Sequence, residues 1–237
     1  MSSIVTDWFI GTFGTLAILN ISIFSLSIIF KIWIQDAKED QGKPGDENYV
    51  EGYQGRVDRT KDFLDKYNQT KCGEYCFDLG QLGVCGREPY GYKEGTPCVY
   101  LKLNRVYGLK NEMFEKLPED MPETLKTHIE AQKYKDQVWV ECHGEYPGDK
   151  EGLGEIKYFP ESQGFHAKHF PFKNQKGYQS PLVAVQFLNA AQRQMLHIEC
   201  RAWAANIGYN RRHNIGINRF GLVILDESSA PEVQAFK

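Results

Sequence analysis

Cys98-Val99-Tyr100-Leu101-Lys102-Leu103-Asn104-Arg105-Val106 is the stretch that decides the fold class. Side chains alternate along an extended chain, so Val99, Leu101 and Leu103 share one face while Tyr100, Lys102 and Asn104 share the other. The alternation predicts a strand with one dry side and one wet side. Similar signals recur at 138–142, 182–188, 196–204 and 220–225; in the stretch at 196–204, Leu196, Ile198, Cys200 and Ala202 share a face. Turn residues separate these runs and helices do not alternate with them, which favours an antiparallel sandwich over a doubly wound sheet.

Two helices are expected beside the strands. In 51–67, Val57, Leu64 and the flanking Tyr53 and Tyr67 recur at roughly helical spacing, and Pro122 stands at the first turn of a stretch with Leu125 and Ile129 at i,i+4. The Gly- and Cys-rich 72–97 reads as a stapled loop. The acidic, Gly-rich 144–155 matches no calcium-loop spacing and reads as a solvated turn.

Upstream lies a single long apolar stretch, from Trp8 to Ile34, and all six cysteines follow it. No charged side chain occurs over 8–30, and 23 residues at a rise of about 1.5 Å reach roughly 35 Å, enough to cross a hydrocarbon core. A cleaved signal peptide is the rival reading, but such peptides carry a basic leading segment, and 1–7 contains no Lys or Arg. A retained anchor over 8–34 is expected, with Trp8 and Trp33 at the interfaces, a short tail at 1–7, and a linker with a short helix at 35–70.

Orientation sets two rules against each other. Lys31, Lys38 and Lys43 flank only the carboxyl side of the span, which by the positive-inside rule places that side in the cytoplasm. Six thiols in a loop-rich domain instead suggest disulfides, which persist only in an oxidising compartment. The cysteines weigh more, because the charge bias is small. The domain at 71–237 is therefore expected outside the cell, where the sequon Asn68-Gln69-Thr70 would offer Asn68 for glycosylation. Spacing alone does not decide how the cysteines pair. Cys142 and Cys200 fall in predicted strands 58 residues apart, a span suited to a bridge between sheets, while Cys72, Cys76, Cys85 and Cys98 share one short region.

Composition narrows the function classes. A net charge of -3 with dispersed charges leaves no basic footprint for nucleic acid. There is no phosphate-cradling loop, nucleophile elbow or zinc-protease helix, and no cofactor motif. His166 and His169, in a predicted loop without a nearby carboxylate, read as surface residues rather than a metal pair.

The residues also resemble a family. Leu82-Gly83-Val84-Cys85, then Tyr90-Gly91-Tyr92-Lys93-Glu94-Gly95-Thr96-Pro97-Cys98 and Leu101-Lys102-Leu103-Asn104-Arg105-Val106, are similar to the beta subunits of the sodium/potassium and proton/potassium pumps. Phe63-Leu64-Asp65-Lys66-Tyr67, Ser180-Pro181-Leu182-Val183-Ala184-Val185-Gln186-Phe187, Ile198-Glu199-Cys200-Arg201-Ala202 and Asn206-Ile207-Gly208-Tyr209 extend the resemblance in the same order. It implies a type II plasma-membrane glycoprotein: one transmembrane helix and an immunoglobulin-like, all-β antiparallel sandwich ectodomain with a short helical insertion. It implies cysteines paired in sequence, Cys72 to Cys76, Cys85 to Cys98 and Cys142 to Cys200. The implied role is accessory: assisting folding, delivery and potassium affinity of a catalytic alpha subunit, with no cofactor of its own.

Two segments bear on that partner. Phe9 and Phe13 stand where the family has tyrosines facing the catalytic subunit, on one helical face beside Gly14, which would allow close helix approach. The family's aromatic run around a proline, implicated in contact with the extracellular face of the catalytic subunit, reads His169-Phe170-Pro171-Phe172-Lys173 here. Phe170 and Phe172 are its candidate contacts, and packing at the sandwich rim is their bland alternative. The anchor offers no Asp, Glu or Arg as an ion ligand, so the chain is not expected to be an ion path. Catalysis by this chain is not expected, and the second functional reading is an adhesion or junction glycoprotein using the same domain to bind an extracellular partner.

Overall fold

The alternating stretch forms strand β2 (Cys98–Leu103), one of the two inner strands of a four-stranded antiparallel sheet. The structure, a computed structural model, describes residues 30–32, 53–68 and 72–224. Over these, the chain runs through β1 (Phe30–Ile32), α1 (Gln54–Asp65), 3-10 turns at Gly73–Tyr75 and Leu79–Gly86, β2, α2 (Glu123–Ala131), β3 (Gln137–Gly144) and α3 (Pro147–Leu153). It continues through β4 (Ile156–Phe159), β5 (Gly164–His166), a 3-10 turn at Ala167–His169, β6 (Leu182–Phe187), β7 (Leu196–Trp203) and β8 (Ile217–Leu222).

Two sheets result, with strand orders β1-β2-β6-β4 and β5-β3-β7-β8, and all their pairings are antiparallel. Between them lies the main core. Val99, Leu101 and Leu103 of β2 meet Val183, Val185 and Phe187 of β6, together with Val138, Val140, Leu196, Ile198 and Cys200 from the other sheet. Each such side chain, removed from water, contributes roughly 1.5 to 3 kcal/mol against its lost freedom.

The second side of β2 is not wet. Tyr100 is only 2% exposed and packs with Val57, Phe63 and Leu64 of α1, with Phe77, Leu82 and Cys85, and with Leu182 and Ala184 of β6. Its hydroxyl donates to the Cys85 carbonyl at 2.5 Å, so this buried polar atom is satisfied. Helix α1 and the stapled loop thus roof the outer face of the first sheet. A third cluster, Met121, Leu125 and Ile129 with Trp139 and Trp203, seats α2 on the outer face of the second sheet.

The six cysteines are bonded in chain order, Cys72 to Cys76, Cys85 to Cys98 and Cys142 to Cys200. The last does not join the two sheets, as its spacing suggested. Cys142 and Cys200 are direct partners on neighbouring strands β3 and β7, with Cα atoms 4.0 Å apart. Two antiparallel strands joined by a long connection also bring distant cysteines together, and spacing does not separate that case from a bridge across the core.

Other expectations shift. The solvated turn at 144–155 contains α3, which buries Asp149 and Leu153 and begins where the Tyr146 amide donates to the Asp149 carboxylate at 3.2 Å. The last strand lies at Ile217–Leu222 rather than 220–225. Phe30–Ile32, expected at the end of the membrane helix, are extended and pair with β2. Among the described residues no helix is long and apolar enough to cross a membrane. Phe9, Phe13, Gly14 and most of the anchor expected at 8–34 lie outside the described residues.

Candidate partner-binding surface

Just past the end of β2 the chain turns outward at Arg105, whose guanidinium carbon sits 5.7 Å from the centre of the Phe172 ring and 5.5 Å from that of Tyr178. Those two rings are 4.9 Å apart, and Tyr75 lies 6.4 Å from Tyr178. The cation is held by its own hydrogen bonds: Arg105 Nε donates to Ser180 Oγ at 3.2 Å and Nη2 to the Tyr178 carbonyl at 3.4 Å. A guanidinium over an aromatic face is attracted by about 0.5 to 1 kcal/mol at exposed sites. The result is a ledge of half-buried aromatic rings bound by an exposed Arg, with Tyr107, 74% exposed, bridged to Phe172 beside it.

One amide ties the ledge to its supports. Gln179 Oε1 accepts from the Phe77 amide at 2.8 Å, its Nε2 donates to the Tyr67 carbonyl at 3.0 Å, and its own backbone N–H donates to the Tyr75 carbonyl at 3.4 Å. The end of α1, the Cys72 to Cys76 loop and the segment before β6 are therefore fixed to each other. Phe172 is held from the other side, where its carbonyl accepts from the Gly108 amide at 2.8 Å.

Of the expected contacts, Phe170 and Phe172 both lie in this segment, and both are half-buried. Phe170 packs against the main core, in keeping with rim packing, whereas Phe172 forms the ledge with Arg105 and Tyr178. His169 is not a surface residue. It is 2% exposed, its ring lies 6.2 Å from Phe77, and its Nδ1 has no hydrogen-bond partner. Burial first, and then Lys168 and His166, push its pKa down to about 4, so the ring is neutral at pH 7. His166 is exposed, and among the described residues no cluster of His, Cys, Asp and Glu is placed to hold a metal ion.

The buried His169 carries a pH signature. The unfolded chain takes up a proton near the ordinary histidine value of 6.5 while the folded one does not until about 4. Its contribution is therefore fully present above pH 6.5 and is lost as pH falls toward 4. Between pH 7 and pH 5 the loss is expected to be about 2 kcal/mol. His143 runs the other way: the hydrogen bond its Nδ1 donates to the Glu141 carboxylate raises its pKa, so its contribution is lost as pH rises through that raised value. Urea unfolding of the wild type and His169→Phe at both pH values isolates the His169 part, and an equal pH dependence in the two proteins would refute it.

The outer face of the second sheet carries a different arrangement. Glu199, 2% exposed, accepts from Arg211 Nε at 2.8 Å and from the Tyr209 hydroxyl at 3.3 Å, and His143 Nε2 lies 3.9 Å away. Arg211 also reaches Glu145 at 2.9 Å, which Arg219 shares at 3.4 Å. Arg201 stacks on Trp203 and Tyr209, at 3.4 and 4.1 Å, and pairs with Asp120 at 2.8 Å. The charged groups pair with one another and hold the loop after β7 on the sheet, while the buried Trp203 Nε1 has no hydrogen-bond partner.

Asn68 is exposed just beyond α1, and its Nδ2 donates to Asp65 Oδ1 at 3.1 Å. Sequence reasoning missed Arg105, Tyr178 and Gln179 as parts of the ledge. No local pattern marks them, because they meet only through the pairing of β2 with β6.

The sequence also matches known proteins. Residues 33–220 match the family described as sodium/potassium ATPase beta chain. The chain is 41% identical over 189 residues to sodium/potassium-transporting ATPase subunit beta-1 of Drosophila melanogaster, covering 72% of this chain and 59% of that protein. It is 39% identical over 169 residues to subunit beta-2 of the same organism, covering 67% and 52%. Against subunit beta-1 of Tetronarce californica it is 29% identical over 213 residues, covering 73% and 67%. The chain spans between half and three fifths of the length of the two fly relatives.

Proposed function

The chain belongs to the sodium/potassium ATPase beta chain family, and on that premise we propose that it is the non-catalytic accessory subunit of a sodium/potassium-transporting pump, assisting folding, membrane delivery and potassium affinity of a catalytic alpha subunit. In this reading it is a type II protein of the plasma membrane. The anchor at 8–34 meets lipid and, through Phe9, Phe13 and Gly14, the alpha subunit; the sandwich lies outside the cell, with a glycan on Asn68. Three disulfides in the described domain suit an oxidising compartment.

The observation that carries the reading is the family match over 33–220, which takes in the ledge and both sheets apart from β1 and the last residues of β8. The ledge is the part suited to a protein partner. Rigid aromatic rings with an Arg are the groups that most often dominate binding energy at interfaces, and here Phe172, Tyr178 and Arg105 are fixed in place before any partner arrives.

Co-expression with a sodium-pump alpha subunit tests this. Capture of the tagged chain should recover alpha, and without alpha the chain should stay in the endoplasmic reticulum. Phe172→Ala should lower recovery about 5- to 10-fold, the effect of truncating one dominant contact, while Tyr134→Ala, an exposed ring between α2 and β3, should leave it unchanged. A chain that reaches the surface alone and recovers no alpha would sink the accessory role and leave the adhesion reading.

A further inference from the structure

A cleft of about 350 Å³ opens between α1 and the loop at 79–90, at the low end of the range for small-ligand sites. Lys61 and Asp65 line it from the helix and Arg87 and Glu88 from the loop, so its charged groups balance and it carries no net charge to favour an ion of either sign. Lys61 and Glu88 pair across it at 2.9 Å and hold helix and loop at a set separation. Leu64 and Leu79 add an apolar portion to the lining. Donors (Lys61, Arg87) and acceptors (Asp65, Glu88) beside an apolar patch suit a neutral, hydroxyl-rich ring that has one C–H face.

Such a group has an attachment point in the wall itself. Asn68 also lines the cleft, is exposed, and is the first residue of the sequon Asn68-Gln69-Thr70. Its Nδ2, the atom that would carry a glycan, is directed to Asp65, another lining residue. A sugar joined there begins at the mouth of the cleft and needs no affinity of its own to find it, because the tether supplies a high effective concentration.

We infer that this cleft seats the first N-acetylglucosamine of a glycan on Asn68, with Arg87, Asp65 and the Lys61–Glu88 pair as its polar partners, so that the sugar pins α1 to the loop at 79–90. The inference rests on the reading that Asn68 is glycosylated. Its consequence is mechanical: the roof over the first sheet is held by carbohydrate as well as by the Cys85 to Cys98 bond.

The full chain, expressed in cells that glycosylate and then trimmed by endoglycosidase to a single N-acetylglucosamine, is the material for the test. Intact mass reports whether Asn68 is occupied, and hydrogen exchange is followed in peptides covering 61–68 and 79–90. The trimmed protein should exchange about 3- to 10-fold more slowly there than Asn68→Gln, the protection expected from one or two added hydrogen bonds. Arg87→Ala, still carrying the sugar, should lose that protection. An unmodified Asn68 removes the glycosylation reading and the inference together. An occupied Asn68 with exchange equal to that of Asn68→Gln, or protection untouched by Arg87→Ala, overturns the inference alone.

Discussion

Replacing Cys142 and Cys200 together with alanine is expected to lower the unfolding free energy by about 3 to 4 kcal/mol. The bond closes a loop of 58 residues, which contains α3, β4, β5 and β6, and in the unfolded chain that closure removes much conformational freedom. In the folded chain both sulfurs lie in the main core, Cys200 fully buried, so alanine also leaves unfilled space there. Denaturant unfolding of the double variant is the measurement, read from its midpoint and slope. The Cys72 to Cys76 bond, four residues apart, is the internal comparison. If its removal costs as much as that of Cys142 to Cys200, loop length is not the controlling quantity.

Arg211→Ala is expected to cost about 2 kcal/mol, below the full penalty for stripping a buried charge because Arg211 itself is half in water. Glu199 is not: its side chain is 3% exposed, and Arg211 is its shortest charged partner at 2.8 Å. Without the guanidinium the carboxylate keeps only Tyr209 and the more distant His143, and Glu145 keeps Arg219. The loop after β7 loses its ion pairs to the sheet at the same time and keeps Tyr209, bonded to Glu199 and stacked on Arg201. Adding Glu199→Gln to Arg211→Ala should restore part of the loss by removing the stranded charge. A double variant less stable than Arg211→Ala would show that the charge was not the cause.

The strands were legible where the side-chain pattern had enough length to show. β2, β3, β6 and β7 fall within or nearly within the stretches expected, because each has six or eight residues of alternating or continuous apolar character. β4 and β5, with four and three residues, are too short to carry a period. Helix α3 was hidden by its composition: in Pro147–Leu153 only Asp149 and Leu153 face inward, and an Asp among glycines reads as a turn. Tyr100 reads as wet in the sequence because nothing in β2 announces that Phe63 of α1 lies across it, 6.0 Å away ring to ring.

The candidate site was legible in outline. Phe170 and Phe172 stood out through the family resemblance, but the feature that organises the ledge, Arg105 set over Phe172 and Tyr178, draws on positions about 70 residues apart. His169 misled for a related reason. A histidine between Lys168 and Phe170 reads as exposed, yet it is buried, with Phe77 of the stapled loop approaching from a distant part of the chain.

Strand β6 has no wet side at all, since every residue from Leu182 to Phe187 is buried. In a sheet with one solvated face, sliding a strand by one position is prevented by polarity, because it drives the apolar set into water. Here a slide would exchange Val183, Val185 and Phe187, which face the main core, for Leu182 and Ala184, which face the roof, and greasiness would be satisfied either way. What selects the correct alignment is bulk and one amide. Ala184, the smallest side chain of the strand, stands opposite Tyr100, and Gln186 reaches Thr96 through bonds of 3.2 Å to both its carbonyl and its hydroxyl. Substitutions at Ala184 and Gln186 therefore threaten the alignment of the whole strand, where equally conservative changes at Val183 or Val185 would trouble only their neighbours.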